Sequence, residues 1–248
     1  MGCGRRVCAA VFAAAAFIVC LCTVSWPAYA GGDDDDDLAH FIVFSGRDLW
    51  RNGVFANGGL LWAPGGLNSS GFTLKTLLST GIYRYTSGAL DNATVYGGEL
   101  KGQLLPGWCF KRGHFELKLF AGPDLEWHGL RPDDPTNELR GTSLGLALAT
   151  EVWIEPTPDT MLAADASLST VGPNYAARIA TGLHLFGQFY VGPEMQVYGG
   201  DGYSQMRYGA HVTSLKTGLS EWSAAAGWAI DTDKRESPYV RLGFLQRL

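Results

Sequence analysis

The chain has 248 residues, of which 46% are hydrophobic, 12% aromatic and only 17% charged, with 33 glycines and a formal net charge of −5. Charge stands well below the roughly 25% of an ordinary soluble domain, and glycine is near twice the usual share of about 7%. This balance excludes a disordered chain, a coiled coil and a basic nucleic-acid binder, and the length suits one domain of about 200 to 250 residues, a size that closed β architectures reach as a single unit.

Residues 1–30 read as a signal peptide. Arg5 and Arg6 give a positive start, Val7 to Val24 is almost wholly apolar, and Ala28-Tyr29-Ala30 places small residues where a signal peptidase reads. Cleavage after Ala30 would remove both arginines and take the net charge from −5 to −7. Four cysteines (Cys3, Cys8, Cys20, Cys22) belong to this leader, so Cys109 has no partner for an internal disulfide and is either buried or open to intermolecular pairing. Val19 and Leu21 precede leader cysteines where a lipoprotein signal would carry a small residue. Residues 31–38 contain the acidic run Asp33 to Asp37, which reads as a solvated, disordered tail rather than a calcium site, because the chelating spacing is absent.

From residue 39 to 248 the sequence is a succession of period-two segments separated by Gly, Pro, Asn and Asp clusters. We predict twelve strands, near 40–49, 53–63, 72–85, 93–104, 113–127, 141–155, 160–170, 174–186, 188–198, 205–213, 220–230 and 238–248. The fifth is representative: Phe115, Leu117, Leu119, Ala121, Leu125 and Trp127 share one face, and His114, Glu116, Lys118, Asp124, Glu126 and His128 the other. No segment after the leader is apolar over the ~20 residues that a membrane helix needs, and short connections make neighbours antiparallel.

Alternation alone leaves open which face is wet. Three features favour a closed antiparallel up-and-down outer-membrane-type β-barrel over a soluble one. The polar face is rich in small residues such as Gly98, Gly122, Gly145, Ala147, Gly192 and Gly227, as a crowded lumen requires. The apolar rows of the alternating segments beyond the second strand are uncharged, as a lipid-facing surface demands, where a Lys or Arg costs about 2–4 kcal/mol at mid-depth. Finally, Trp50, Trp62, Trp127 and Trp222 fall at segment ends, where interfacial aromatic girdles lie.

One internal echo stands out. Phe120-Ala121-Gly122-Pro123-Asp124-Leu125-Glu126 matches Tyr190-Val191-Gly192-Pro193-Glu194-Met195-Gln196, and each Gly-Pro is expected to mark a β-bulge because proline cannot donate to a ladder. The pattern supports two readings: a lumenal polar cluster of Asp124, Glu126, Glu194 and Gln196 for a saccharide or cation, or a barrel bend whose carboxylates pair with Arg178, Arg207 or Lys118. Trp153, Tyr83, Tyr85, Tyr190 and Tyr198 lie on the inward phase and could stack on sugar rings or simply pack. Carboxylate pairs such as Glu151/Glu155 or Glu116/Glu126 are not singled out as a glycosidase site. His40, His114, His128, His184 and His211 show no metal spacing, so no cofactor or metal is expected. His184 or His211 with a strand serine would be the place to look for an outer-membrane enzyme.

The N-terminal third carries a resemblance. Phe44-Ser45-Gly46-Arg47-Asp48-Leu49-Trp50, then Gly59-Leu60-Leu61-Trp62-Ala63-Pro64-Gly65-Gly66-Leu67, Gly71-Phe72 and Tyr83-Arg84-Tyr85 resemble the cellulose biosynthesis protein BcsS family, short exported proteins of Gram-negative bacteria. The likeness implies a non-catalytic accessory role in cellulose synthesis or secretion at the outer membrane, with lipid, β-glucan and cellulose synthase components as partners, and it supplies no catalytic residue. The alternatives are a small outer-membrane channel and an enzyme acting on lipid or polysaccharide. Leu248 departs from the terminal Phe common in outer-membrane barrels.

Overall fold

The computed structural model describes residues 39–248 apart from Asp201 and Asp233, so the leader and the acidic run lie outside the described residues. Twelve strands follow in order: β1 (Phe41–Trp50), β2 (Gly53–Trp62), β3 (Gly71–Ser87), β4 (Ala93–Arg112), β5 (Phe115–Arg131), β6 (Gly141–Thr157), β7 (Thr160–Ser169), β8 (Tyr175–Leu185), β9 (Phe189–Gly200), β10 (Tyr203–Thr217), β11 (Ser220–Asp231) and β12 (Glu236–Arg247). Every strand pairs antiparallel with its sequence neighbour, and β1 closes on β12 from Ile42↔Arg247 to Trp50↔Tyr239. Closure leaves no unpaired edge among the strands, the arrangement that lets a sheet cross lipid.

The end carrying both termini has tight turns at Gly113, Gly187 and Gly218, each with positive φ, and one longer connection between β2 and β3. That connection folds back on the barrel: Ala63 N–H donates to His40 O and Leu67 N–H to Ala39 O. At the opposite end the longest excursion is 132–140, between β5 and β6.

Two expectations about elements need correcting. The stretch 105–112 is strand, because the alternation runs on through it: Leu105 and Cys109 are buried inside while Leu104, Trp108 and Phe110 are exposed outside. The buried thiol also decides between the two readings of Cys109. Second, neither Gly-Pro makes a bulge. The β4–β5 register is the same before and after a gap between Gln103↔Asp124 and Gly107↔Phe120, and the β8–β9 register is the same on either side of a gap between Ala180↔Glu194 and Leu183↔Val191. Pro123 and Pro193 lack the N–H that would bond Leu104 and Thr181 across these gaps, so each empties a ladder position without inserting a residue. The bulges occur elsewhere, at Val212/Leu215 and Ile154/Thr157.

The apolar rows face outward. Leu144, Leu146 and Leu148 on β6, Ile179 and Leu183 on β8, and Val240 and Leu242 on β12 are exposed, up to 76% for Leu144. Around the terminal end lies an aromatic belt of Phe41, Trp62, Phe72, Trp108, Phe110, Phe115 and Trp222; Tyr96, Tyr208 and Trp228 mark the other end. Trp50 does not belong to a girdle. It follows Ile42, Phe44, Gly46 and Asp48 on the inward phase of β1, and it packs against Ala225, Ala229 and Tyr239.

The interior has two characters. Near the termini one side of it is apolar: Ile42, Leu61, Leu105, Phe120 and Ala147 pack with Ala39, Ala63 and Leu67 of the folded-back segments, joined by Phe44, Ala149 and Leu245. Toward the other end it is polar and hollow.

Candidate functional site

A cavity of about 900 Å³ opens at the end opposite the termini. Its rim comes from the connections: Arg51 and Asn52 after β1, Asn137 and Leu139 after β5, Asn174 before β8, Thr232 and Arg235 after β11. Its walls are Trp50, Phe55, Tyr83, Tyr85, Tyr198 and Tyr203, and Glu99, Lys101, Gln103, Glu126 and His128 reach into it from β4 and β5. None of the residues of the terminal-end apolar cluster lines it.

Ring orientation on the wall follows from strand register. Phe55 stands directly opposite Gly81, and Tyr83 opposite Gly97. A Cβ on Gly81 would lie 2.1 Å from the Phe55 ring, and one on Gly97 2.3 Å from the Tyr83 ring. Each ring therefore lies flat over bare backbone and turns its other face to the cavity. Phe55 and Tyr83 are parallel within 8° at 6.5 Å between centroids, and Tyr83 and Tyr85 within 24° at 6.3 Å. The Tyr85 hydroxyl donates to Asp134 (3.0 Å) and accepts from Asn137 Nδ2 (2.9 Å), tying the platform to the 132–140 loop.

Charge networks lie inside the barrel. In the first, Lys101 on β4 bridges Asp124 (3.2 Å) and Glu126 on β5, and the Ser169 hydroxyl donates to Asp124 (2.6 Å). His128 Nε2 faces the Glu126 carboxylate at 3.2 Å, so that nitrogen carries the proton and Nδ1 accepts from the Tyr83 hydroxyl at 2.9 Å. In the second, Glu194 on β9 accepts from Tyr239 (2.9 Å), Gln196, Arg178 (3.4 Å) and Arg241. Arg178 also holds Asp165 at 2.8 Å, while Arg207 reaches Asp48 on β1 at 2.6 Å. Arg207 stacks 4.8 Å from the Tyr198 ring centroid and 5.1 Å from that of Tyr239. A third set nearer the termini joins Lys75 to Glu151, and Glu116 to Lys118 and Lys111.

The predicted polar cluster is thus divided. Asp124 and Glu126 belong to one network, Glu194 and Gln196 to the other, with exposures of 0%, 1%, 3% and 1%. Arg178 is the partner expected for a carboxylate of this group, whereas Arg207 takes Asp48 and Lys118 takes Glu116. The predicted stacking residues divide too. Tyr83, Tyr85 and Tyr198 line the cavity; Trp153 and Tyr190 pack with Met161 and Ala163 in a separate cluster, where Tyr190 also stacks on His184 at 4.5 Å. His211 donates from Nε2 to Thr181 O (3.1 Å), the carbonyl that Pro193 leaves without a ladder donor, and accepts from Thr213 Oγ1 (3.0 Å). The sequence reading missed Phe55, Trp50 and Tyr203 as wall residues. The inward phase of β1 and β2, set by Asp48 and Leu61, carries the signal for the first two.

The fold defines an outer-membrane-type β-barrel: twelve antiparallel strands, apolar outside, charge-paired within, and belted by aromatics. The sequence match to the cellulose biosynthesis protein BcsS family covers residues 42–248, and the chain belongs to that family. No curated protein sequence matches it significantly. Among solved structures it is similar to the COG4313 outer membrane channel from Pseudomonas putida F1, with 11% identity, 89% of this chain and 100% of that one covered, and a TM-score of 0.56. It is also similar to the translocator domain of the autotransporter NalP from Neisseria meningitidis (13% identity, 99% and 94% covered, TM-score 0.49) and to the KdgM porin (11% identity, 84% and 99% covered, TM-score 0.43).

Proposed function

We propose that this protein is an outer-membrane barrel, exported by a signal peptide cleaved after Ala30, that assists cellulose biosynthesis or secretion without catalysing a reaction. The observation that carries the reading is that the family match, 42–248, spans all twelve strands, so the cellulose-associated unit is the barrel itself. The interior supports a scaffold over a wide pore: ion pairs occupy its middle, and packed apolar side chains with further ion pairs occupy the terminal end. Its partners on this reading are lipid on the outside and cellulose, or the synthase machinery, at the ends. Deletion of the gene tests it, and we expect cellulose yield or its release from the cell to fall; unchanged amount and location of the polymer would sink the proposal.

The structural likeness to an outer membrane channel favours small-solute passage as the second reading. Planar-bilayer recording separates the two, with a steady open current favouring the channel.

A further inference from the structure

We infer that the cavity opposite the termini is a binding site for a neutral β-linked glucan segment, with the Phe55–Tyr83–Tyr85 row as its stacking floor. The inference takes its sugar type from the cellulose-related role proposed above. The rest comes from the cavity itself. Equatorially substituted pyranoses present flat C–H faces and put their hydroxyls at the edges. Phe55 and Tyr83 are pinned over Gly81 and Gly97, so each offers one free, flat, apolar face without needing to reorient. Successive centroids 6.5 and 6.3 Å apart make a row rather than a single contact.

The polar groups around this row suit the hydroxyl edges. Asn52, Asn137 and Asn174 stand on the rim. The cation deepest in the wall is already engaged: Lys101 is bonded to Glu126 and Asp124, while at the rim Arg51 lies 3.4 Å from Asp231 and Arg84 is held by Asn52 and the Arg51 carbonyl. A polyanionic saccharide would require a row of such cations along the aromatic wall itself, where Lys101 is taken by two carboxylates, whereas a neutral one needs only hydroxyl, amide and aromatic partners. The volume of about 900 Å³ lies within the range of ligand pockets and accommodates a short run of sugar units. Both termini lie at the other end, so with the termini in the periplasm the site opens to the cell exterior, where secreted polymer emerges.

The test is titration of cellohexaose into the folded full-length mature barrel in detergent, followed by calorimetry, with heat-modifiable gel migration confirming that every variant is folded. We expect saturable binding, weakened about tenfold or more by Phe55→Ala, as truncation of an aromatic anchor does. Tyr85→Phe should retain most of the affinity because the ring stays. Trp153→Phe, in the separate cluster near the termini, should bind as the parent does. No saturable binding by the parent, equal binding by folded Phe55→Ala, or tighter binding of an oligogalacturonate than of cellohexaose each overturns the assignment. Failure of the accessory role reads differently: if gene deletion leaves cellulose unchanged while cellohexaose still binds through Phe55, the role falls and the site stands. If deletion lowers cellulose but cellohexaose does not bind, the site falls and the role stands.

Discussion

Gly97 and Gly81 hold their places through what lies above them. In an antiparallel pair, directly opposed side chains are the closest contacts, and an aromatic facing a glycine covers the exposed backbone of its neighbour. Phe44 over Gly59 and Phe120 over Gly107 repeat the device deeper in the barrel, again at directly opposed positions. Gly97→Val should therefore displace the Tyr83 ring and cost about 1–3 kcal/mol, the ordinary penalty of overpacking. Gly98→Val is the control, because a Cβ there meets nothing within 4 Å. Guanidinium unfolding midpoints in detergent should fall for the first variant and hold for the second.

Glu194 sits at the other extreme of the residue scale, buried and bonded to two arginines, a tyrosine and an amide. Glu194→Leu would leave Arg241 without the carboxylate it bonds and Arg178 with Asp165 alone. Breaking one side of a buried pair costs about 3–5 kcal/mol, so its unfolding midpoint should drop further than that of any surface substitution. A neutral result would mean that water reaches these arginines freely.

Among the elements, the 132–140 loop has an ionisable anchor. The Asp134 carboxylate accepts from the Thr136 hydroxyl (2.7 Å), the Thr136 N–H (3.1 Å) and Tyr85. Chiefly through the Thr136 hydroxyl, with Ser87 and Tyr85 adding to it, its pKa is lowered from 3.8 to about 2. A depressed carboxyl stabilises the fold fully above its unfolded pKa and loses that contribution as pH falls through the folded value. Loop protection should thus be constant from neutral pH down to about 4 and decline between about 4 and about 2. Amide exchange at Thr136 and Leu139 reads this directly, and Asp134→Asn should abolish the pH dependence. Exchange that rises already near pH 6 would place the anchorage elsewhere.

The strands themselves show what was legible locally. The twelve segments were predicted because a period of two is a property of each strand alone, visible in Leu144/Leu146/Leu148 against Gly145/Ala147/Ala149. Pro106 is an outward residue of β4, and its neighbours keep their alternation across it. Pro123 and Pro193 read as bulges, yet a missing N–H breaks one hydrogen bond and does not change the residue count between strands.

For the molecule as a whole, the outward rows require a solvent without hydrogen-bonding demands. Leu148, near the middle of β6 and exposed outward, gives the test. Leu148→Arg should cost about 2–4 kcal/mol in lipid vesicles, as a lipid-facing cation near mid-depth does. The same substitution on a wet exterior would be nearly neutral in folding titrations, and that outcome would remove the barrel from the membrane.

Strand number and the greasy outer rows followed from the chain alone, since alternation depends on residues one or two apart. The phase differs from expectation at Trp50, which is inward, and at Gly98, which shares the outward row of Tyr96 and Leu104. The partition of Asp124 and Glu126 from Glu194 and Gln196 and the pairing of Arg207 with Asp48 came only with closure, and the meeting of Phe55 with Tyr83 on one wall only with the β2–β3 register. Those contacts join strands whose relative height is fixed by tilt and stagger around the ring, which no single segment records. The apolar plug near the termini has the same origin: Ala63 and Leu67 become interior only when their connection folds back onto Ala39 and His40.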